Sequence, residues 1–299
     1  MTIRPPAWRV VLLGLAIIPV IGLIMAISSH LGWWPGQLAQ HWAGHLTVLS
    51  LPFWAWQGRR PAIGLSMAAL AAVALWPAWS AAWAPRAEAP TSASVRVMSA
   101  NLYYVVPHTD SLPVIDGDLV ALIETSPEDR ERLRDDPRWP YQRWIIPTGF
   151  GGTALLSRYP MKAKELDLLE APGVDAQVEM PWGRLRVIAV HTWSPSNRNS
   201  TGRNLRQLKE LAGIAETEPG PLLILGDLNA TPGHPGIAGL RAAGMLPPHG
   251  SEPATWPSWL GPCGITIDHA MVRGLRLGEV SPVALPGSDH HGIRLRLSP

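Results

Sequence analysis

Short apolar runs, each closed by a polar side chain, recur through the last two thirds of the chain. Val95–Asn101 ends in Asn, Asp118–Thr125 carries Glu124 near its end, and Leu185–His191 ends in His. Leu222–Leu225 leads into Gly226-Asp227-Leu228-Asn229-Ala230-Thr231-Pro232, where a Gly/Pro turn breaks the run. Ile265–His269 holds Asp268, and Gly287-Ser288-Asp289-His290-His291 precedes the last run, Ile293–Leu297. Apolar segments this short, bounded by turn residues, predict buried strands. Thr201–Glu216 has a different period, with Leu205, Leu208, Leu211 and Ala212 at helical spacing. Many strands with few helices suit a β-sandwich carrying helices on its outer faces.

The first 84 residues follow another pattern. They contain no Asp or Glu, only Arg4, Arg9, Arg59 and Arg60 as charges, and nine of the fifteen Trp. Val10–Ile27 is apolar and long enough to cross a hydrocarbon core of ~30 Å as a helix. The expected spans are about 10–28, 38–57 and 62–83, with Trp33, Trp34, Trp54, Trp56, Trp79 and Trp83 near their ends, as interfacial aromatics are. His41 and His45 dilute the second span and are expected at an interfacial or satisfied position. A secretory signal peptide shares the basic start and apolar core, but no small-x-small cleavage site follows Ile27 and two further apolar stretches come next. Arg4 and Arg9 precede the first span and Arg59-Arg60 fill the loop between the second and third, while Ser28–Gln37 is uncharged. The positive-inside rule then keeps the N-terminus cytoplasmic and sends everything after Ala84 across an inner membrane, to a periplasmic or exterior location.

The domain organisation expected is a membrane anchor over 1–84, a short polar linker over 85–94, and one domain over 95–299. Beyond Ala84 all 23 acidic residues face 21 Lys/Arg, so the domain lacks the strongly basic field of a non-specific duplex binder. Cys263 is the single cysteine, which excludes a disulfide framework.

Candidate chemistry concentrates where the strands end. Residues i and i+2 of a strand face the same way, so Asp227 and Asn229 can address one ligand. A carboxylate beside a neutral donor suits a phosphate: one orients a nucleophile or metal, the other binds a phosphoryl oxygen without adding repulsion. Hard oxygen ligands, with neither a cysteine cluster nor spaced histidines, point to Mg²⁺ or Mn²⁺ and away from structural zinc.

The order of these motifs resembles the endonuclease/exonuclease/phosphatase superfamily, which includes deoxyribonuclease I, abasic-site endonucleases, inositol-polyphosphate phosphatases and neutral sphingomyelinases. The matching segments are Ser99–Leu102, Val120–Thr125, Gly152–Arg158, Ala189–His191, Gly226–Asn229, Ile267–His269 and Ser288–His290. The resemblance implies an α/β fold, a four-layer α/β/β/α sandwich of two packed mixed β-sheets, here preceded by about three transmembrane helices. Asp110–Asp118 stands where a longer helix-bearing connection is expected, which predicts a trimmed outer layer.

The resemblance also implies roles. Glu124 is the principal metal carboxylate, Asn101 helps to bind metal or phosphate, and Asp289 supports a second metal position. Asp227 orients or deprotonates the attacking water, and Asn229 stabilises the charge that develops on phosphorus. His290 is the general base or a phosphate-contacting imidazole, Asp268 holds its tautomer, and His191 donates to a non-bridging oxygen. Arg158, Arg203 and Gln207 fall where the family braces its site. His269 and His291 match no family position. The additional Tyr of abasic-site endonucleases has no match, which weakens a DNA-repair assignment.

The function expected is a membrane-anchored, metal-dependent phosphodiesterase or phosphatase acting on a lipid head group. The alternatives are an endonuclease or exonuclease on DNA or RNA, and a non-catalytic binding module, which would require loss of one of the five core residues Glu124, Asp227, Asn229, Asp268 and His290. Trp139, Trp144, Trp182, Trp193, Trp256 and Trp259 lie at or near loops, where they could meet an interface. Besides substrate and bilayer, no protein partner is indicated.

Overall fold

A computed structural model describes residues 34–42, 45, 48, 80–91, 93–104, 112–147, 151–169 and 171–299. The chain divides into two compact units, residues 1–83 with 195–202 and 232–234, and residues 84–194, 203–231 and 235–299. In the first, helix α1 spans Trp34–Gln40 and so begins inside the loop expected between the first two spans. The first expected span lies outside the described residues, as does most of the second and third. Among the described residues no helix is long and apolar enough to cross a membrane.

The second unit contains two packed sheets. The first is built from β1 (Val95–Asn101), β2 (Leu119–Thr125), β3 (Tyr141–Ile145), β4 (Gly152–Ser157), β10 (Arg276–Leu277), β11 (Ser281–Ala284) and β12 (His291–Ser298). Its order is β10-β12-β1-β2-β4-β3, with β11 also pairing β12. The second runs β5-β6-β7-β8-β9, from Met161–Leu168, Ala171–Met180, Gly183–His191, Leu222–Asp227 and Asp268–Arg273. Each sheet has one parallel pair, β1 with β2 and β7 with β8, and is otherwise antiparallel.

Alternation along the central strands explains why they read as unbroken apolar runs. Val97 of β1, Leu119 and Ala121 of β2, and Leu223 and Leu225 of β8 point between the sheets. Their neighbours Met98, Ala100, Val120 and Leu122 face the outer side of the first sheet, and Leu222 and Ile224 that of the second. Both faces are buried, so neither can be polar.

The outer layers differ in depth. Helix α3 (Arg198–Thr217) and α4 (Pro235–Ala242) cover the second sheet through Leu208, Leu211, Ala215, Ile237 and Leu240. Leu205, which shares their spacing, is exposed. The first sheet is covered by the turn Leu112–Val114, the seven-residue helix α2 (Pro127–Leu133) and the fully buried Trp139. Leu112–Val114 is the only helical turn among the described residues joining β1 to β2.

Within the polar linker expected over 85–94, residues 86–91 lie as a strap on the sandwich. Ala87 is buried in the core between the sheets, and its N–H donates to Pro247 O at 2.9 Å. Leu277 N–H donates to Glu88 O at 3.0 Å, and Thr91 N–H to Ser298 Oγ at 3.0 Å. Its Pro/Ala composition suits an extended segment whose small side chains fit into a groove.

Candidate active site

Strand register assembles the centre of the site. His191 pairs with Asp227 across β7 and β8, and Asp227 pairs with Asp268 across β8 and β9. Three functional side chains therefore stand side by side on adjacent strands. Asn101 closes β1 opposite them; its amide donates to Asp227 Oδ2 at 3.1 Å and to Glu124 Oε1 at 3.2 Å.

Local backbone distortions complete the set. Glu124 has φ +55°, at a bulge where the β2–β4 register shifts between Ile123 and Thr125. A bulge re-aims a side chain that strict alternation would send elsewhere. Gly151 makes room for it: a Cβ there would lie 2.7 Å from Glu124 Cα. Gly226 has φ +136°, and a Cβ on it would run into the Val190 carbonyl oxygen, so β8 reaches Asp227 only with glycine before it. Asn229 has φ +46°. Strand alternation does not set its orientation, because β8 ends at Asp227. Instead a turn closes between Asn229 N–H and Asp227 Oδ1 at 2.8 Å, and the Asn229 amide donates to Thr192 O at 2.9 Å.

His290 Nδ1 lies 2.8 Å from Asp268 Oδ2, and both residues are buried. Asp268 is held from behind by Thr255, whose Oγ1 accepts its N–H at 3.2 Å. Asp289 Oδ2 accepts from Trp256 Nε1 at 2.9 Å. Ser288 Oγ bridges the strands, donating to Asn101 O at 2.7 Å and accepting from His290 N–H at 3.0 Å. The Nε2 atoms of His191 and His290 approach Asp227 Oδ2 to 3.7 and 3.8 Å. Those separations exceed a hydrogen bond.

Charge is concentrated here without lysine or arginine. Among the described residues no Lys or Arg ion pair reaches Glu124, Asp227, Asp268 or Asp289. Burial, reinforced by the charge of Asp268, raises Asp227 to about 6 against the pull of His290 and His191. Burial also raises Glu124, opposed by the Asn101 amide and His290. For His290 burial works against the charge, but the charge and hydrogen bond of Asp268, with Asp227 and Asp289 beyond, hold it up at about 10. Desolvation keeps His191 below its ordinary value although Asp227 pulls the other way.

The donors suit a hard divalent cation. Asp268 Oδ1 and Asp289 Oδ1 are buried without a hydrogen-bond partner, and four crowded carboxylates with no lysine or arginine among them leave room for further positive charge. Asp227, Asp268 and His290 offer ligand atoms within 4.8 Å of one another. Asp268 Oδ2 and His290 Nδ1 are engaged with each other, which leaves Asp268 Oδ1, Asp227 and His290 Nε2 as the outward atoms of that group. Glu124 lies beside it, joined to Asp227 through the Asn101 amide. Asn101 Oδ1 accepts Tyr103 N–H at 3.0 Å, and its amide N–H groups bridge Glu124 and Asp227.

The bracing positions separate. Gln207 accepts Trp193 N–H at 2.8 Å and donates to Leu168 O at 2.6 Å, fixing the loop that follows His191. Arg203 lies over the Trp193 ring at 4.8 Å. Arg158 pairs with Asp118 at 2.9 Å, at the opposite end of β2 from Glu124. Thr255 and Asn204 hold the site and carry no sequence signal, because each acts through contacts distant in the chain, Asn204 donating to Thr192 Oγ1 and to Leu228 O at 3.0 Å. Of the loop tryptophans, Trp139 is core and Trp259 is 78 % exposed.

The Endonuclease/Exonuclease/phosphatase family matches residues 96–290, and the chain belongs to it. Solved structures share the fold. A D. rerio TDP2 complexed with single-strand DNA product is 16 % identical, with TM-score 0.55, covering 70 % of this chain and all of the other. A mutant of Staphylococcus aureus beta toxin with bound magnesium ions is 17 % identical, with TM-score 0.51, covering 68 % of this chain and 99 % of the other. Sphingomyelinase C from Streptomyces griseocarneus is 15 % identical, with TM-score 0.51, covering 69 % and 99 %. No curated protein matches the chain.

Proposed function

We propose that the protein is a membrane-anchored, divalent-metal-dependent hydrolase of phosphoesters in lipid head groups. The observation that carries the hydrolase assignment is the convergence of two imidazoles on Asp227 Oδ2 from 3.7 and 3.8 Å. Those separations are too wide for direct bonding, and an oxygen lying beside the cluster can hydrogen-bond to Asp227 and an imidazole together.

Asp227, poised at about 6, is a carboxylate at neutral pH and takes the proton of the attacking water. His290, held up at about 10, is charged and turns Nε2 toward a non-bridging phosphoryl oxygen while Asp268 fixes Nδ1. Of the two roles open to His290, phosphate contact fits this charge and general base does not. His191, kept neutral, donates to a second oxygen. Asn229 donates one amide hydrogen to Thr192 O and keeps the other for the phosphoryl group. Glu124, with Asp289, would hold Mg²⁺ or Mn²⁺, which supplies Lewis-acid neutralisation of the phosphate when bound.

The lipid assignment rests on the rim. The turn Ser258–Cys263 has no charged residue and presents Trp259, 78 % exposed. It is fixed to the site by Ser258 N–H on Asp289 O at 2.7 Å and Ser258 Oγ on Ser288 O at 3.1 Å. A polynucleotide groove needs cations along the backbone path, whereas an exposed indole suits a lipid–water interface. The apolar first 84 residues supply the tether.

The deciding experiment compares turnover of phospholipid vesicles with that of linear, nicked and single-stranded DNA, using full-length protein and Mg²⁺ or Mn²⁺. Lipid turnover that falls in Trp259→Ser is expected. Rapid metal-dependent DNA cleavage without lipid turnover would make the protein a nuclease.

A further inference from the structure

His269 matches none of the family's functional positions, yet its surroundings are built. The side chain is 1 % exposed, with Nδ1 3.0 Å from Glu252 Oε1 and Nε2 2.7 Å from Ala230 O. A carbonyl oxygen can only accept, so Nε2 carries the proton and donates to Ala230. Glu252 is itself held: Arg86 of the strap approaches its Oε2 at 3.8 Å and donates to Pro248 O at 3.3 Å. Arg241 adds its positive charge.

Both ends of this arrangement touch the reaction centre. His269 follows Asp268, the partner of His290, and Ala230 follows Asn229. Asn229 sits in the left-handed region at φ +46°. Asparagine tolerates that conformation better than most residues other than glycine, and the contacts around the turn hold it there. The turn is restrained by Asn229 N–H on Asp227 Oδ1, Leu228 N–H on Ile267 O at 2.9 Å, the Asn229 amide on Thr192 O, the Asn204 amide on Leu228 O at 3.0 Å, and the His269 donor on Ala230 O. Asn204 and His269 both reach the turn from outside it, and of the two His269 is the one oriented by a buried carboxylate.

We infer that His269, oriented by Glu252, is a positioning residue that clamps the Ala230 carbonyl and so holds the Asn229 amide in the geometry its phosphate needs. The inference rests on the hydrolase function proposed above. A core histidine whose polar atoms were merely satisfied would contribute to stability alone; a clamp contributes to the rate and to local order at 226–231.

The test uses full-length protein carrying His269→Phe, His269→Gln or Glu252→Gln. Hydrogen exchange over 226–231 is read by mass spectrometry, beside kcat and KM on bis(4-nitrophenyl) phosphate with Mn²⁺. His269→Phe should raise exchange in that segment and lower kcat about 10- to 100-fold with KM within about twofold, since sub-ångström misplacement is costly in rate. His269→Gln, which keeps a donor for Ala230 O, should recover most of both, and Glu252→Gln should give an intermediate loss. If His269→Phe yields too little folded protein, Glu252→Gln carries the test. Unchanged exchange and kcat with only a lowered melting temperature would overturn the inference. So would a fall in kcat without any change in exchange. An inactive wild type would refute the hydrolase proposal instead, and the exchange measurement would still decide the clamp.

Discussion

Asp268→Asn removes the charge that dominates the electrostatics of two catalytic groups while keeping the shape of the side chain. Holding an imidazole from 6.5 up to about 10 corresponds to on the order of 5 kcal/mol of preference for the charged ring. Asp268 is the largest contributor in that direction, and it also raises Asp227. The substitution should therefore lower both midpoints. In metal-free protein labelled at histidine, the His290 ring nitrogens should remain doubly protonated through neutral pH and titrate near 10 in the wild type. In Asp268→Asn the midpoint should fall markedly, because burial then acts with less opposition. The rate should rise with pH as Asp227 ionises through about 6, and decline at the alkaline end as His290 loses its proton. In the variant both limbs should move to lower pH, and kcat should drop roughly 10²- to 10⁴-fold. A wild-type His290 titrating near its ordinary value of 6.5, or an alkaline limb unmoved by Asp268→Asn, would refute the assignment of His290 as a charged phosphate contact.

Three further outcomes are expected. Chelation with EDTA should abolish turnover, and Glu124→Gln should reduce it roughly 10²- to 10⁴-fold without altering the far-ultraviolet circular dichroism. Gly226→Ala, which places a methyl group into the Val190 carbonyl at φ +136°, should cost about 3–5 kcal/mol, read as a lowered denaturation midpoint. A reporter active only outside the cytoplasm should light up when fused after Pro299, and one active only inside should stay dark; the reverse would contradict the three-span arrangement.

The legible parts of the site are those in which sequence order and spatial order coincide. β1, β2, β7 and β8 are buried on both faces, so their apolar runs stand out, and the polar residues closing them fall where the parallel pairs end. β9 is displaced: the apolar run suggests Ile265–His269, whereas the strand begins at Asp268, and Ile265 forms only an isolated bridge with Trp256. Asp227 and Asn229 do come together, but through a left-handed turn and not through strand alternation. The bulge at Glu124 and the register of His191, Asp227 and Asp268 depend on partners dozens of residues away, which periodicity does not encode. The same holds for Glu252 on His269, 17 residues apart across a loop.

The strap makes the domain begin earlier than its first strand. With Ala87 tucked into the core, Glu88 O accepting from Leu277 N–H and Thr91 N–H held by Ser298 Oγ, residues 87–91 fold together with the two sheets. A chain cut to start at Val95 would uncover the apolar seam that Ala87 fills, whereas one cut to start at Ala84 would keep it covered. Flexible residues inserted after Thr91 would first have to peel the strap away.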